Sequence, residues 1–462
     1  MIGDKAQAAS LAPRGFFWRL ADRVGGEGGW GSHRFRQYAT LVGGNGLCSV
    51  AGIIALMLAA RHLQAREYGQ LIAILTYPLV FDHLFNFQTW VGVVKHGVEA
   101  DAQGQPDRLP VILRTCLFLD TASCLAAYLL GVALAPFFCG LLRLDPEALP
   151  LIQLACLANL INQTGTAIGV LRLEERYGAY VMAKSAHHLT NLLGTLLSLW
   201  FGWGSFGLVS AKVASFAVQT AFFLGFAVRA MVQRGTSLRR LVRGQGWDGP
   251  LVKFLAFTNL TSTVDLPIIY FDTYFITYFI SLEMSAVYNI FKPILQLFSY
   301  ITEPIEQLAY HHFTQSIAAG RTRAAVRGNM RFMFGMLLLF IPLGVAICLT
   351  ASYWVGLLFK NPHVDSLAFV YYFVLLKVIA YSACTLHPLV TAMGLVRQQL
   401  FITLVANVVF VALCLFIRDR LGISGIILAV AVQNGLVCVA KMAIVIQAAH
   451  SQLHNDHHGH VR

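Results

Sequence analysis

Apolar stretches long enough to cross a bilayer recur along this chain, and lipid leaves such stretches few choices. A hydrocarbon core about 30 Å thick takes about 20 helical residues, and every backbone N–H and C=O within it must find a partner inside the protein. The stretches fall at about 38–60, 70–94, 111–135, 148–171, 178–200, 205–228, 251–279, 284–309, 329–358, 366–392, 399–417 and 421–448. They predict an all-α polytopic membrane protein of about 12 transmembrane helices. Composition agrees: 57% of the 462 residues are hydrophobic and 12% charged, against about 25% charged in an ordinary soluble domain.

Charge sets the expected orientation. With the N-terminus inside, twenty Lys and Arg fall in inner tails and loops and six in outer loops, a positive-inside bias that puts both termini in the cytoplasm. The formal charge of +12 is spread through these short loops, so it points to a membrane and not to nucleic acid. The longest break between spans is MVQRGTSLRRLVRGQGWDGP, residues 231–250. It separates six helices from six, and both halves then begin on the same side, as parallel repeats do. The predicted organisation is a cytoplasmic tail 1–37, an N-terminal lobe 38–230, a linker 231–250, a C-terminal lobe 251–448 and a His-rich cytoplasmic tail 449–462.

Familiar chemical motifs are few. The nine cysteines stand singly without a CxxC pair and read as small buried side chains. Gly26 to Gly31 and Gly202 to Gly207 spell GxGxxG, but neither follows a strand, and no GxxxxGK[ST] phosphate loop is present, so no nucleotide cofactor is expected. The histidines of HSQLHNDHHGHVR lack a fold to fix a metal geometry, and no metal site is expected there. No catalytic residues assemble from spacing, and no outer loop exceeds about 15 residues, too little for an enzyme that must hold an acceptor. A non-enzymatic function is expected.

The informative residues are the charges inside the spans. Arg114, Lys184, Lys212, Lys253, Lys292, Arg331, Lys377 and Lys441 are basic; Asp82, Asp120, Asp265, Asp272, Glu303 and Glu306 are acidic. Each would cost about 2.5–3.5 kcal/mol at the centre of a lone helix, so they must meet one another or water. Lys184, Arg331 and Lys441 sit near span ends, where long side chains snorkel to the surface. In YNIFKPILQLFSYITEPIEQLAY, residues 288–310, Asn289, Lys292, Gln296, Ser299, Glu303, Glu306 and Tyr310 recur every three or four residues, one helix face running the depth of a membrane. Shorter stripes join Lys184, His188, Asn191, Thr195 and Ser198, then Lys212, Ser215 and Gln219, then Thr258, Ser262, Asp265 and Asp272, then Asp82, Asn86 and Thr89. Such stripes imply a central wet cavity between the lobes. Pairing between helices is the architectural alternative for each residue.

The stretch LVGGNGLCSVAGIIALMLAARHLQAREYGQ, its counterpart from Lys253 to Ile294 with Asp272 and Val287-Tyr288-Asn289, FNFQTW at 85–90 and the Leu171-Arg172 exit resemble bacterial Wzx-type polysaccharide flippases of the MOP superfamily. The resemblance covers about residues 38–448, with Ala286 standing where glycine is usual. It implies a V-shaped pair of six-helix lobes that opens alternately to each side of the bacterial cytoplasmic (inner) membrane. It also implies undecaprenyl-diphosphate-linked sugar units as substrate, with membrane lipids, and polysaccharide polymerase and chain-length proteins, as partners. On that reading Lys184, Lys212, Lys292 and Lys377 would neutralise the diphosphate, and Asn191, Asn289 and Gln296 would meet sugar hydroxyls. Asp265, Asp272, Glu303 and Glu306 would bind a coupling ion or pair with those cations. The rival expectation is an ion-coupled drug or metabolite antiporter of the related MATE branch.

Overall fold

The structure is a computed structural model and describes residues 43–44, 50–105, 107–235, 246–318, 321–358 and 368–459. The predicted N-terminal tail and linker residues 236–245 fall outside it, as do the side chains of Gln296 and Glu303. Among the described residues the secondary structure is helical, without strands. In chain order the helices are α1 (Val50–His62), α2 (Ala65–Phe85), α3 (Thr89–Ala102), α4 (Arg108–Leu142), α5 (Ala148–Ile161), α6 (Gly165–Leu173), α7 (Tyr177–Trp200), α8 (Gly204–Gln233), α9 (Gly249–Thr263), α10 (Asp272–Phe279), α11 (Leu282–Ala318), α12 (Thr322–Leu358), α13 (Ala368–Ser382) and α14 (Leu386–Ala392). The last helical run, Val396–Gly459, bends at Gly422 into α15 (Val396–Ile417) and α16 (Gly422–Ala449). Gly422 has φ 53° and ψ −134°, a backbone that a Cβ would strain.

Several predicted spans are broken, and in each the local sequence gives the reason. The second predicted span stops at Asn86, whose Oδ1 accepts the Gln88 N–H at 2.9 Å. This side-chain turn competes with the helix ladder and delivers Gln88 with φ 49° to the start of α3. The fourth breaks at Asn162–Thr164, between α5 and α6. The seventh starts cleanly, Asp248 capping the Leu251 N–H at 3.0 Å with Pro250 following, and then passes through a π-helical turn at Pro267–Phe271. Proline brings no N–H to the ladder, so the wider turn starts where a donor is missing.

Seven helical segments are long and apolar enough to cross a membrane. Four others, α2, α7, α9 and α11, fall short of that measure while carrying Asp82, Lys184, Ser262 and Lys292. Lipid-facing helices behave oppositely: on α12, Leu338, Leu339, Ile341, Val345 and Leu349 are all exposed. The polar groups gather on the faces that helices turn toward one another, and the faces turned toward lipid are apolar.

The core forms four apolar clusters. Two draw on α1 to α9, and one of these also takes Ala286 and Ile290 from α11. The others are built from α10 to α16. α2 and α11 approach so closely that a Cβ on Gly69 would lie 2.0 Å from the Leu282 carbonyl oxygen. Here glycine is required by backbone contact between the two halves of the sequence. On another face Arg234, at the end of α8, bonds Asp101 at the end of α3 and Glu174 just past α6, tying three helix ends together.

Candidate functional site: charges buried between helices

Asp272 opens α10 and is 3% exposed. In an unbroken helix the Thr273 N–H would bond the Ile269 carbonyl four residues back. After the π turn it points to Asp272 Oδ1 at 2.7 Å, and the released Ile269 carbonyl accepts from Lys292 Nζ at 2.7 Å. Lys292 also reaches Oδ1 and Oδ2 of Asp272 at 2.8 and 2.9 Å, and the Tyr288 hydroxyl donates to Oδ2 at 2.6 Å. Both carboxylate oxygens are satisfied, the condition under which a buried ion pair holds together. Asn289 completes the group, donating to the Ser285 carbonyl at 2.9 Å and accepting from the Thr273 hydroxyl at 3.1 Å.

Thus Asn289 and Lys292, the top of the predicted polar stripe, turn toward α10. Lys377 on α13 stands within electrostatic reach of Lys292 and Asp272, its ammonium 5.4 Å above the Phe373 ring. Two lysines share one carboxylate here, so the region carries a net positive charge when all three are ionised.

In the first half Asp120 of α4, 9% exposed, forms no salt bridge among the described residues. Its Oδ1 accepts from the Thr89 hydroxyl at 2.6 Å, and its Oδ2 from the Thr166 N–H and hydroxyl, both at 2.7 Å. Thr89 opens α3 and Thr166 lies in the first turn of α6. The breaks in the second and fourth spans therefore create two helix N-termini that converge on one carboxylate, each presenting about half a positive charge. Gly165 allows this approach: a Cβ there would lie 2.3 Å from Thr89 Oγ1 and 2.8 Å from Asp120 Oδ1.

Between them α7 and α8 gather Lys184, His187, His188 and Lys212. Lys212 Nζ is 3.3 Å from His187 Nε2, and Lys184 lies 5.2 Å above the Tyr180 ring. Among the described residues neither Lys184, Lys212 nor Lys377 forms a salt bridge. Asn191 is half-buried on α7. A small cavity of about 20 Å³, room for about one water, is lined by Asp82, Asn159, Asn162 and Lys212.

The remaining acidic candidates lie elsewhere. Asp265, at the end of α9, is exposed and within electrostatic reach of His83 and Lys441. Glu306 is half-buried on α11, also within reach of Lys441. Lys441 is 9% exposed and does not snorkel to the surface as its position near a span end predicts, because these acids face it. His83 joins the two halves directly, its Nε2 lying 3.0 Å from the Ser262 carbonyl and 3.2 Å from the Ser262 hydroxyl.

Sequence reasoning passed over Thr166 and His187, and also Asn407. Asn407 donates to the Val264 carbonyl at the end of α9 and accepts from Gln433 at 2.9 Å. The signal was available: a polar triplet amid an apolar span, as at Asn162-Gln163-Thr164, marks a break whose free backbone groups need partners.

No family model matches the chain. A sequence relative, inner membrane protein YghQ of Escherichia coli (strain K12), is 26% identical over 199 residues; the match covers 43% of this chain and 56% of that protein. The chain thus spans little more than half of the relative's length. Solved structures match far more of it. An inward-facing multidrug resistance transporter of the MATE family, in the MOP superfamily, superposes with a TM-score of 0.69 at 14% identity, covering 89% of this chain and 94% of that one. The lipid II flippase MurJ in an inward closed conformation gives a TM-score of 0.61 at 11% identity, covering 88% and 87%. A MOP superfamily transporter from Pyrococcus furiosus gives 0.61 at 12% identity, covering 89% and 98%. The chain has the all-helical fold shared by these MOP superfamily transporters and flippases.

Proposed function

We propose that the protein moves undecaprenyl-diphosphate-linked oligosaccharide repeat units across the bacterial inner membrane by alternating access of two six-helix lobes, supplying surface polysaccharide synthesis. The observation that carries this reading is a surplus of half-buried cations inside the membrane-spanning helices. Lys184, Lys212 and Lys377 are each without a salt bridge among the described residues, whereas Asp120 and Asp272 are saturated by hydrogen bonds. Uncompensated ammonium groups inside a membrane protein are expensive, and an anion that cannot enter hydrocarbon unaided is the ligand that repays them. A diphosphate joined to a sugar chain and a membrane-soluble tail has that chemistry. The fold shared with the lipid II flippase and a relative named as an inner membrane protein support the reading. Lys292, Asn191, Asn289 and Gln296 are proposed as supporting contacts, and Asp265, Asp272, Glu303 and Glu306 as coupling groups.

The second reading is a MATE-like antiporter of a soluble compound, favoured by the TM-score of 0.69 to a multidrug transporter. One experiment separates them. In a deletion strain, lipid-linked oligosaccharides are profiled by mass spectrometry alongside surface glycan, with wild-type, Lys212→Gln and Lys377→Gln complementation. The expected result is one completed lipid-linked unit accumulating while its polymer disappears, relieved by wild type and not by the two variants. A normal lipid pool with new sensitivity to toxic cations would establish the antiporter instead.

A further inference from the structure

Helix α13 has two unlike faces. Phe373, Lys377 and Tyr381, spaced by four, look inward: the Phe373 ring lies 5.0 Å from Tyr288 of α11, and Tyr381 stacks on Phe298 at 5.7 Å. Leu375 and Ile379 look the other way and, with Ile427, Leu428 and Ala431 of α16, line an opening of about 560 Å³. Both helices belong to membrane-spanning segments, Val370–Ala392 and Gly422–Ala449, so the opening lies at hydrocarbon depth. Its chemistry suits a hydrocarbon chain, because the walls are mostly apolar and the Asn434 amide on its border already donates to the Val430 carbonyl at 2.9 Å. The rim is accessible from the side, Leu375 and Ile379 being more than half exposed.

What distinguishes one chain-bearing lipid from another is the ammonium behind the wall. Lys377 is separated from the groove by the width of α13, about 10 Å. It lies seven residues inside its span, also about 10 Å along the helix, and forms no salt bridge among the described residues. A resident phospholipid keeps its phosphate at the bilayer surface. Only a lipid whose anionic head is drawn into the interior of the membrane has a phosphate at the depth of Lys377 and a chain at the depth of the groove. We propose that the groove between α13 and α16 seats the polyprenyl chain of the transported lipid while its diphosphate is engaged at Lys377 on the other side of α13. This assignment rests on the reading of the substrate given above.

The test uses the full chain in nanodiscs and two photoreactive probes: a benzophenone-tagged polyprenyl diphosphate and the same tagged polyprenol without its diphosphate. Labelled peptides are mapped by mass spectrometry. The diphosphate probe is expected to mark α13 and α16 around Ile379 and Ala431, to be displaced by unlabelled polyprenyl diphosphate and not by excess phosphatidylglycerol, and to label about tenfold more than the polyprenol. Filling the groove with Ala431→Trp, or its rim with Leu428→Trp, is expected to lower that labelling about tenfold, whereas Leu349→Trp on the lipid face of α12, a residue 78% exposed, leaves it unchanged. Equal groove labelling by both probes, removed by phosphatidylglycerol, would make the groove a general lipid site and overturn this inference while leaving the proposed function standing. Saturable diphosphate labelling mapped elsewhere would do the same. Absence of any saturable diphosphate labelling would overturn both.

Discussion

Asp120 and Asp272 are both buried carboxylates beside a break in a membrane helix, yet they are stabilised in opposite ways. Asp120 is held by a backbone N–H and two hydroxyls at the first turns of α3 and α6. Asp272 is held by an ammonium, a phenol and one backbone N–H. The first arrangement binds a charge with fixed dipoles from elements that the charge itself helps to organise. The second binds it with a long side chain that also donates to the Ile269 carbonyl. A buried carboxylate near the middle of a membrane helix is therefore not one kind of site.

The largest expected effect comes from splitting the ion pair. Lys292→Met leaves Asp272 buried without its counter-ion and should cost about 3–5 kcal/mol of stability, read as a fall in the unfolding temperature of purified protein. Adding Asp272→Asn should restore most of the loss; a double variant as unstable as Lys292→Met would mean that the pair is not the source. Next is Gly165→Ala, which drives a methyl group into Thr89 and Asp120 and should cost about 1–3 kcal/mol. Removing charge at the same point, Asp120→Asn, should cost about 1–3 kcal/mol, because an amide cannot accept from both threonines and the Thr166 N–H. If Asp120→Asn proved as damaging as Lys292→Met, the contrast between dipole-held and ammonium-held carboxylates would collapse. The smallest effect is expected at Arg234, a quarter exposed where it meets Asp101 and Glu174: Arg234→Ala should cost about 1 kcal/mol or less, and less again in high salt.

Much of this was legible in the sequence. Helical phase alone put Asn289 and Lys292 on one face, because a seven-residue polar repeat keeps its direction along a helix. Charge cost alone identified Asp272 and Lys377 as residues that cannot face lipid. What phase does not give is the partner. The same rule that aligned Lys292 with Gln296 and Glu303 could not tell that Lys292 turns to Asp272, which depends on a π turn twenty-odd residues away. Lys441 was misjudged for a similar reason: nearness to a span end says that snorkelling is possible, but Asp265 and Glu306 come to it from other helices. The breaks before Thr89 and Gly165 were marked only by short polar runs, Asn86 to Gln88 and Asn162 to Thr164, which a window of about 20 residues averages into one apolar stretch.

The π turn at Pro267–Phe271 also acts as a phase shifter. Each residue of an α-helix advances the side chains by about 100°, so the extra residue in this turn sets the facing of α10 independently of α9. Deleting one residue within 267–271 would rotate everything upstream relative to Asp272, so the seam made by His83 and Ser262 would lose its register and Lys292 would lose the Ile269 carbonyl that holds it beside Asp272. The junction between the two halves and the charge centre of the second half are thus coupled through a single turn.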